Sequence, residues 1–452
     1  MEQSNDRRSF IKKAALGTAG IAMSMSAKSY GRIIGANDRV NIGILGYSGR
    51  ARGSLIPAFY KSNTKLNFEI TGVCDLWNLR REEGVARIQE LSGNQKVDAY
   101  RNTDEMYEHN KVDAVIISTA DFQHALLAAE AAEHKKDVYC EKPFAETMED
   151  NRVALKAVKE AGIILQVGSQ RRSGANYHAA NQFIKSGKFG DIVTVEMSWN
   201  VNQPGRWRRP DEVANIKEGD TDWKRYLMNR PYEAWDPRKY LEYRLFWPYS
   251  SGIPGQWMAH QIDTVHWFTD LPHPRSVAAN GGIYLWKDGR KNYDTMTAVF
   301  DYGPLDDPTT GFQCVYSSRF TNSAGGTKEI YYSNGGELNL KTNMVTPNGG
   351  LDERRASAMG MKANLLDSYS LSESDVKVVT SADTGADDTT SMHMLNWMES
   401  IRSRKEANAP VEAGYNHSIA NIMTTAALRT GQFVTFDEKN QEVLAGGKVF
   451  QY

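Results

Sequence analysis

Arg39-Val40-Asn41-Ile42-Gly43-Ile44-Leu45-Gly46-Tyr47-Ser48-Gly49-Arg50-Ala51-Arg52-Gly53 decides how this chain is read. The β-branched alternation up to Leu45 predicts a buried first strand, and Gly46 opens a tight turn into a helix. On the G-x-G-x-x-G/A fingerprint of dinucleotide-binding turns the three positions are Gly46, Ser48 and Ala51, so serine stands where the second glycine belongs. Gly49 beside it restores room for a close backbone approach, and the helix N-terminus offers free N–H groups to a phosphate.

Glycine-rich strand-to-helix turns also occur without a ligand, so the downstream segments carry the weight. A second strand over Phe68–Cys74 ends in Asp75, at the spacing where an acidic residue grips the adenosine ribose hydroxyls. Asp75 would repel a 2′-phosphate, so NAD is expected, with NADP the alternative because Arg80 and Arg81 lie nearby. A third strand over Ala114–Ser118 opens into Thr119-Ala120-Asp121-Phe122-Gln123-His124 and an alanine-rich helix to about His134. His124 reads as a polar residue at that helix start, compatible with a hydrogen bond to the nucleotide. Next, Asp137-Val138-Tyr139-Cys140 runs into Glu141-Lys142-Pro143, where proline stops the strand and is a candidate for a cis bond. Lys142 then stands at the carboxyl end of a parallel sheet, where ligands collect; a solvated surface pair is the plain alternative.

The stretches "STADFQHALLAAEAA", "DVYCEKPFAET" and "ILQVGSQRR" resemble the Gfo/Idh/MocA oxidoreductases, with the likeness running from about Arg39 to the C-terminus. The resemblance implies that Lys142 lies by the nicotinamide and the substrate hydroxyl. It implies that Glu141 contacts the cofactor ribose side, and that Gly49, Arg50, Asp75, Asp121 and His124 line the nucleotide with Gly46, Ser48, Thr119 and Gln170. The fold it implies is a Rossmann-type dinucleotide-binding domain over 36–170, then an α+β domain over 171–452 with a large, mostly antiparallel open sheet. Two C-terminal helices would strap the domains together.

In the second half, Asp191–Trp199 alternates as a strand, and 203–255 is rich in Arg, Trp, Tyr and Pro without regular periodicity. That segment reads either as a wall of a substrate pocket or as a surface excursion. Gly255–Phe268 predicts a helix whose three- and four-residue spacing puts Gln256, His260 and Asp263 on one face. It resembles the family's Asp-x-x-x-His-x-x-Asp helix, with Gln256 replacing the first acid. An amide cannot exchange a proton at neutral pH, so His260 must work with Lys142, a tyrosine or water. Asp263 and Gln256 are candidate catalytic support, and Arg171, Tyr243, Arg244 and Trp257 are candidate substrate contacts. Strands are expected over 276–282, 295–302, 312–320 and 328–333, a polar surface loop over 345–389, and closing helices over 391–404 and 415–430.

With 54 Lys and Arg against 55 Asp and Glu, whole-chain charge gives no reason to expect nucleic acid or an anionic membrane. Ten Trp and 21 Tyr suit stacking on sugar faces, though they suit a core equally. Cys74, Cys140 and Cys314 lie too far apart for a Cys-x-x-Cys zinc site, and no metal is expected. Arg7-Arg8-Ser9-Phe10-Ile11-Lys12-Lys13 and the apolar run to Ala27 read as a twin-arginine export signal and linker over 1–35, which predicts a periplasmic or outer-face protein. The leading expectation is NAD-dependent redox chemistry on a hydroxyl of a sugar, glycoside or polyol by a homo-oligomer. The alternatives are glycoside cleavage with transient redox on a retained cofactor, and a non-catalytic nucleotide-bound protein.

Overall fold

The computed structural model describes residues 38–371 and 387–452. The expected export segment over 1–35 lies outside the described residues, and none of the described helices is long and apolar enough to cross a membrane.

Six parallel strands form the first sheet: β1 (Val40–Leu45), β2 (Phe68–Cys74), β3 (Asp98–Tyr100), β4 (Ala114–Ile117), β5 (Asp137–Cys140) and β6 (Leu165–Val167). Their order is β3-β2-β1-β4-β5-β6, so the chain reverses direction across the sheet between β1 and β4. That switch point places the ends of β1 and β4 side by side and opens a crevice above them. β4 and β5 are fully buried and β1 nearly so, as expected of strands covered by helices on both faces. Gly46 ends β1 at φ +83°; a Cβ there would stand 2.8 Å from Thr119 Cγ2, so the turn tolerates no side chain.

The second sheet has eleven strands: β7 (Ile192–Asn200), β8 (Ser276–Gly282), β9 (Thr295–Tyr302), β10 (Phe312–Arg319), β11 (Thr327–Ser333), β12 (Gly336–Asn339), β13 (Met344–Thr346), β14 (Tyr369–Ser370), β15 (Val434–Asp437), β16 (Glu442–Ala445) and β17 (Lys448–Val449). Their order is β14-β13-β12-β11-β7-β10-β9-β8-β15-β16-β17, antiparallel throughout except for the β7–β10 pair. One face packs on the helices Ala175–Lys185, Ala259–Thr269 and Val411–Thr430 around Met258, Ile262, Phe300, Tyr316 and Met423.

Three expectations need correction. The chain does not close on two helices: after Gly431, in the left-handed region at φ +66°, β15–β17 extend the sheet from β8. Those strands are two to four residues long, too short to show a two-residue period, and they form by pairing with an existing edge. The region 345–389 is not simply a loop, since it contributes β14 and the helix Glu353–Ala358. The segment 203–255 holds short helices at Pro210–Asn215, Trp223–Leu227 and Pro237–Leu241, the last two capped by the Asp222 and Asp236 carboxylates.

The helix Asp388–Ser403 buries Met394, Trp397 and Met398 against Ile42, Phe59 and Tyr139 of the first domain. Arg404 grips Asp137 through two hydrogen bonds of 2.6 and 3.0 Å. Fifteen of the 20 residues of Val411–Thr430 are buried, because this helix lies between β6 and the helix Met148–Ala161 on one side and β8, β15 and β16 on the other.

Candidate functional site

A cavity of about 770 Å³ opens at the carboxyl ends of the parallel strands, within the size range of small-molecule sites. Its floor is first-domain: Gly46, Ser48, Gly49 and Arg50 after β1, Asp75 after β2, Thr119 and His124 after β4, Glu141 and Lys142 after β5, and Gln170 after β6. Its wall is second-domain: Arg171, Tyr243, Arg244, Gln256, Trp257 and His260. Asp121 and Asp263 are not part of the lining.

Ser48 at the second fingerprint position accepts the Ala51 N–H on its Oγ at 3.3 Å, as a helix cap does. The helix continues through π-type turns over Ala51–Leu55, leaving the first-turn N–H groups of Gly49 and Arg50 at the cavity. Asp75 accepts the N–H groups of Tyr47 at 2.8 Å and Trp77 at 2.9 Å. Burial raises its pKa, and the two N–H groups oppose that rise.

Glu141 Oε1 accepts from Arg50 Nε at 2.9 Å and Gln170 Nε2 at 3.1 Å. Burial alone would raise its carboxyl pKa, but Arg50 and then Lys142 outweigh it and hold the carboxyl below the usual range. Gly168 makes this cluster possible, because a Cβ there would stand 2.9 Å from Glu141 Cδ. The Lys142–Pro143 bond is cis, and Lys142 Nζ donates to the main-chain oxygen of Gln256 across the domain boundary. Burial brings the Lys142 pKa down to about 7, with Glu141 and Asp121 pulling upward and Arg244 and Arg50 downward.

His260 lies on the opposite wall, its ring 6.0 Å from that of Trp199. Burial, followed by the fields of Lys142, Arg171 and Arg50, pushes its pKa well below the ordinary imidazole value, so the ring is neutral at pH 7. Trp257 stacks on Trp199 at 5.9 Å and 13°, and the two largely buried rings border this end of the cavity. Arg171 is committed to Glu329, and Tyr243 Oη donates to the Thr119 carbonyl at 3.3 Å.

Three further candidates are held by other protein groups. His124 is buried, with Nδ1 2.8 Å from the Pro143 carbonyl and Nε2 3.3 Å from that of Thr119, so main-chain oxygens already face both ring nitrogens. Asp121 was expected on the nucleotide but has no exposed surface, because Ser250 and Gln256 from the second domain cover it. Asp263 does not share the cavity face of His260: it is enclosed by Arg172, which donates to it at 2.8 and 3.0 Å. The helix begins in π-type turns over Pro254–Met258, which alter the phase between Gln256 and the residues that follow.

The sequence reading missed Trp199, Arg206 and Trp207 on the wall, although the aromatic density of that region pointed to them. It also missed Thr389 and Thr390, which line the cavity from the start of a helix whose preceding residues read as polar loop. Among the described residues no group of three or more His, Cys, Asp or Glu could hold a metal ion.

Residues 40–169 match the model GFO_IDH_MocA, described as an oxidoreductase family with an NAD-binding Rossmann fold. The first domain is an NAD-binding Rossmann domain. The chain is 30% identical to the inositol 2-dehydrogenase of Rubrobacter xylanophilus over 211 residues, 44% of this chain and 55% of that one. It is 29% identical to the 1,5-anhydro-D-fructose reductase of Ensifer adhaerens over 202 residues, 42% of this chain and 58% of that one. The chain thus spans a little over half the length of these curated relatives. A solved levoglucosan dehydrogenase, in complex with NADH and levoglucosan, superposes with a TM-score of 0.62 at 14% identity, covering 88% of this chain and 99% of that one. This last likeness extends the shared fold across both domains.

Proposed function

We propose that the protein is an NAD-dependent oxidoreductase acting on a hydroxyl of a sugar, glycoside or polyol. One observation carries the reading: Lys142 from the end of a dinucleotide-type sheet and His260 from the other domain face one cavity. The positive φ of Gly46, the open first turn at Gly49 and Arg50, and the Asp75 carboxylate fit a dinucleotide along the floor. Bound there, the nicotinamide supplies a hydride acceptor. The neutral His260 imidazole takes the hydroxyl proton, Lys142 as ammonium steadies the developing oxygen charge, and the end of the cavity that Trp199 and Trp257 border receives the ring. The aligned sugar and polyol enzymes support the substrate class.

NAD is preferred over NADP in this reading because the nearby cations are engaged. Arg80 pairs with Glu83 and Glu212, and Arg81 donates to the Asp75 carbonyl at 2.9 Å. Replacing Asp75 with alanine is expected to weaken NAD binding about ten- to a hundredfold and to narrow the NAD-to-NADP preference, as one lost charge-assisted hydrogen bond is worth about 1.5–3 kcal/mol. Titration calorimetry with both nucleotides checks it, and unchanged affinities would remove Asp75 from the ribose.

A specific observation keeps the glycoside-cleaving reading alive. Trp223, Tyr226 and Tyr249 of the 203–255 segment pack on Trp77, Ala120 and Phe122 beside the nucleotide floor. Gln123 Nε2 donates to the Tyr226 carbonyl at 2.7 Å, and Arg225 pairs with Asp104 at 2.8 Å. A cofactor seated beneath this cover would exchange slowly, which suits a hydride that is lent and then returned. It also suits export of a loaded protein by the twin-arginine route, which the first 35 residues suggest, and assembly as a homo-oligomer is part of the same proposal. Mass spectrometry of nucleotide released by acid from purified protein tests cofactor binding. Turnover of a sugar and polyol panel with added NAD, against release of free sugar without it, separates the two reactions. Absence of bound or bindable nucleotide would sink both.

A further inference from the structure

Position 256, where the resembled helix pattern carries an acid, holds an amide that is itself bound to an acid. Gln256 Nε2 donates to Asp121 Oδ2 at 2.6 Å, and the Ser250 hydroxyl donates to the same oxygen at 2.6 Å. Ser250 Oγ in turn accepts the Gly252 N–H at 3.1 Å, which fixes the hydroxyl. Asp121 has no exposed surface, and its other oxygen accepts no hydrogen bond; Arg244 Nη2 lies 3.6 Å from it. The main-chain oxygen of the same Gln256 receives Lys142 Nζ. One residue therefore stands between a carboxylate of the first domain and the ammonium of the cavity floor.

We propose that Asp121 is the positioning carboxylate of this site: it supplies from the first domain the negative charge that residue 256 lacks, and through Gln256 it fixes the aim and charge of Lys142. This rests on the reading of Lys142 as the group facing the reacting hydroxyl.

An amide is a fixed donor and acceptor, so Asp121 sets the Gln256 side chain with its N–H₂ toward the acid. A fully buried carboxylate persists only where donors and cations compensate it, and Ser250, Gln256, Arg244 and Lys142 do so here. The other titratable groups around Lys142 are Glu141, Arg50 and the neutral His260; around Asp121 they are His124 and Glu146. Glu146 is buried and accepts the Ser251 N–H and hydroxyl, both at 3.1 Å. Burial and then the field of Asp121 push its carboxyl upward.

Asp121→Asn removes the charge but leaves an oxygen for the Gln256 amide, and the double variant Asp121→Asn/Gln256→Asp returns a carboxylate one residue away. Lys142 is titrated in each full-length protein by carbon NMR of methylated lysines, a readout that needs no substrate. Loss of Asp121, whose field raises the Lys142 pKa, is expected to lower it by about one unit, the lower end of what a nearby opposite charge supplies. The double variant should recover most of it, and the alkaline limb of the kcat–pH profile should move in parallel with little change in KM. Ser250→Ala, milder toward folding, should give a smaller shift in the same direction. Lys142 titrating alike in the wild type, Asp121→Asn and Ser250→Ala, or a double variant no better than Asp121→Asn, overturns the proposal. If wild-type protein turns over no sugar, the redox reading fails while the titration still decides the role of Asp121.

Discussion

Replacing Lys142 with methionine lowers kcat about a thousandfold, within the 10²–10⁴ that a positioned proton-transfer or charge-stabilising side chain contributes, and leaves nucleotide binding nearly unchanged. Methionine keeps the length and apolar stem of the side chain, so the loss reports the charged end. Lys142 Nζ reaches the Gln256 carbonyl, and the nucleotide floor is built mainly from other residues: the turn after Gly46, Asp75, and the Glu141–Arg50–Gln170 cluster. Binding and turnover should therefore separate. The wild-type pH profile carries the sign of the effect. With a pKa of about 7, Lys142 is an ammonium below that pH and an amine above it, so activity that depends on its positive charge falls as the pH rises through 7. His260, held neutral by burial, sets the acid limb far lower. Stopped-flow turnover and calorimetric NAD binding of wild type and variant decide the matter. Full activity in Lys142→Met, or an alkaline limb that persists in it at pH 7, removes Lys142 from the chemistry.

Much of the first domain was legible because its signals are local. A β-branched run that ends in Gly46, with φ +83°, is a strand meeting a turn that only glycine fits, and the acids and lysine at the ends of β2 and β5 follow from the strand boundaries. His260 was legible from its surrounding helix, and the structure brings it to the same cavity as Lys142. What stayed hidden depends on contacts distant in sequence. The helices at 223–227 and 237–241 owe their burial to Trp77 and Phe122, residues more than a hundred positions earlier, so no periodicity announces them. β15 exists because Val434 pairs with Val277 on an edge formed elsewhere in the chain. Thr389 and Thr390 reach the cavity only because Trp397 anchors their helix on the first domain. Asp263 misled for a different reason: three residues along a regular helix leave it about 60° around the axis from His260, and there Arg172 encloses it.

Asp263 matters instead as a support beneath the site, and its removal should be costly. Its carboxylate is fully enclosed, takes two hydrogen bonds from Arg172, and lies 3.8 Å from His417 Nδ1. Arg172 is itself buried, with its guanidinium 5.4 Å from the centre of the Trp267 ring. Asp263→Ala therefore leaves an uncompensated cation in the core, and breaking such a pair from one side costs about 3–5 kcal/mol. Burial alone would raise the Asp263 pKa, but Arg172 and His417 outweigh it, so the folded carboxyl titrates below its unfolded value of about 3.9. The stabilisation is then complete above the ordinary carboxylate range and is lost only as the pH falls toward the folded value. Urea unfolding followed by tryptophan fluorescence should show the full gap between wild type and Asp263→Ala at both pH 7 and pH 5, narrowing below about pH 4. A gap under about 1 kcal/mol at pH 7 would mean that the pair contributes no more than an exposed one. Because Asp263 lies one turn beyond His260 on the same helix, a loosened pair should also disturb the imidazole and lower kcat, and Asp263→Asn, which keeps an acceptor for Arg172, should recover part of both losses.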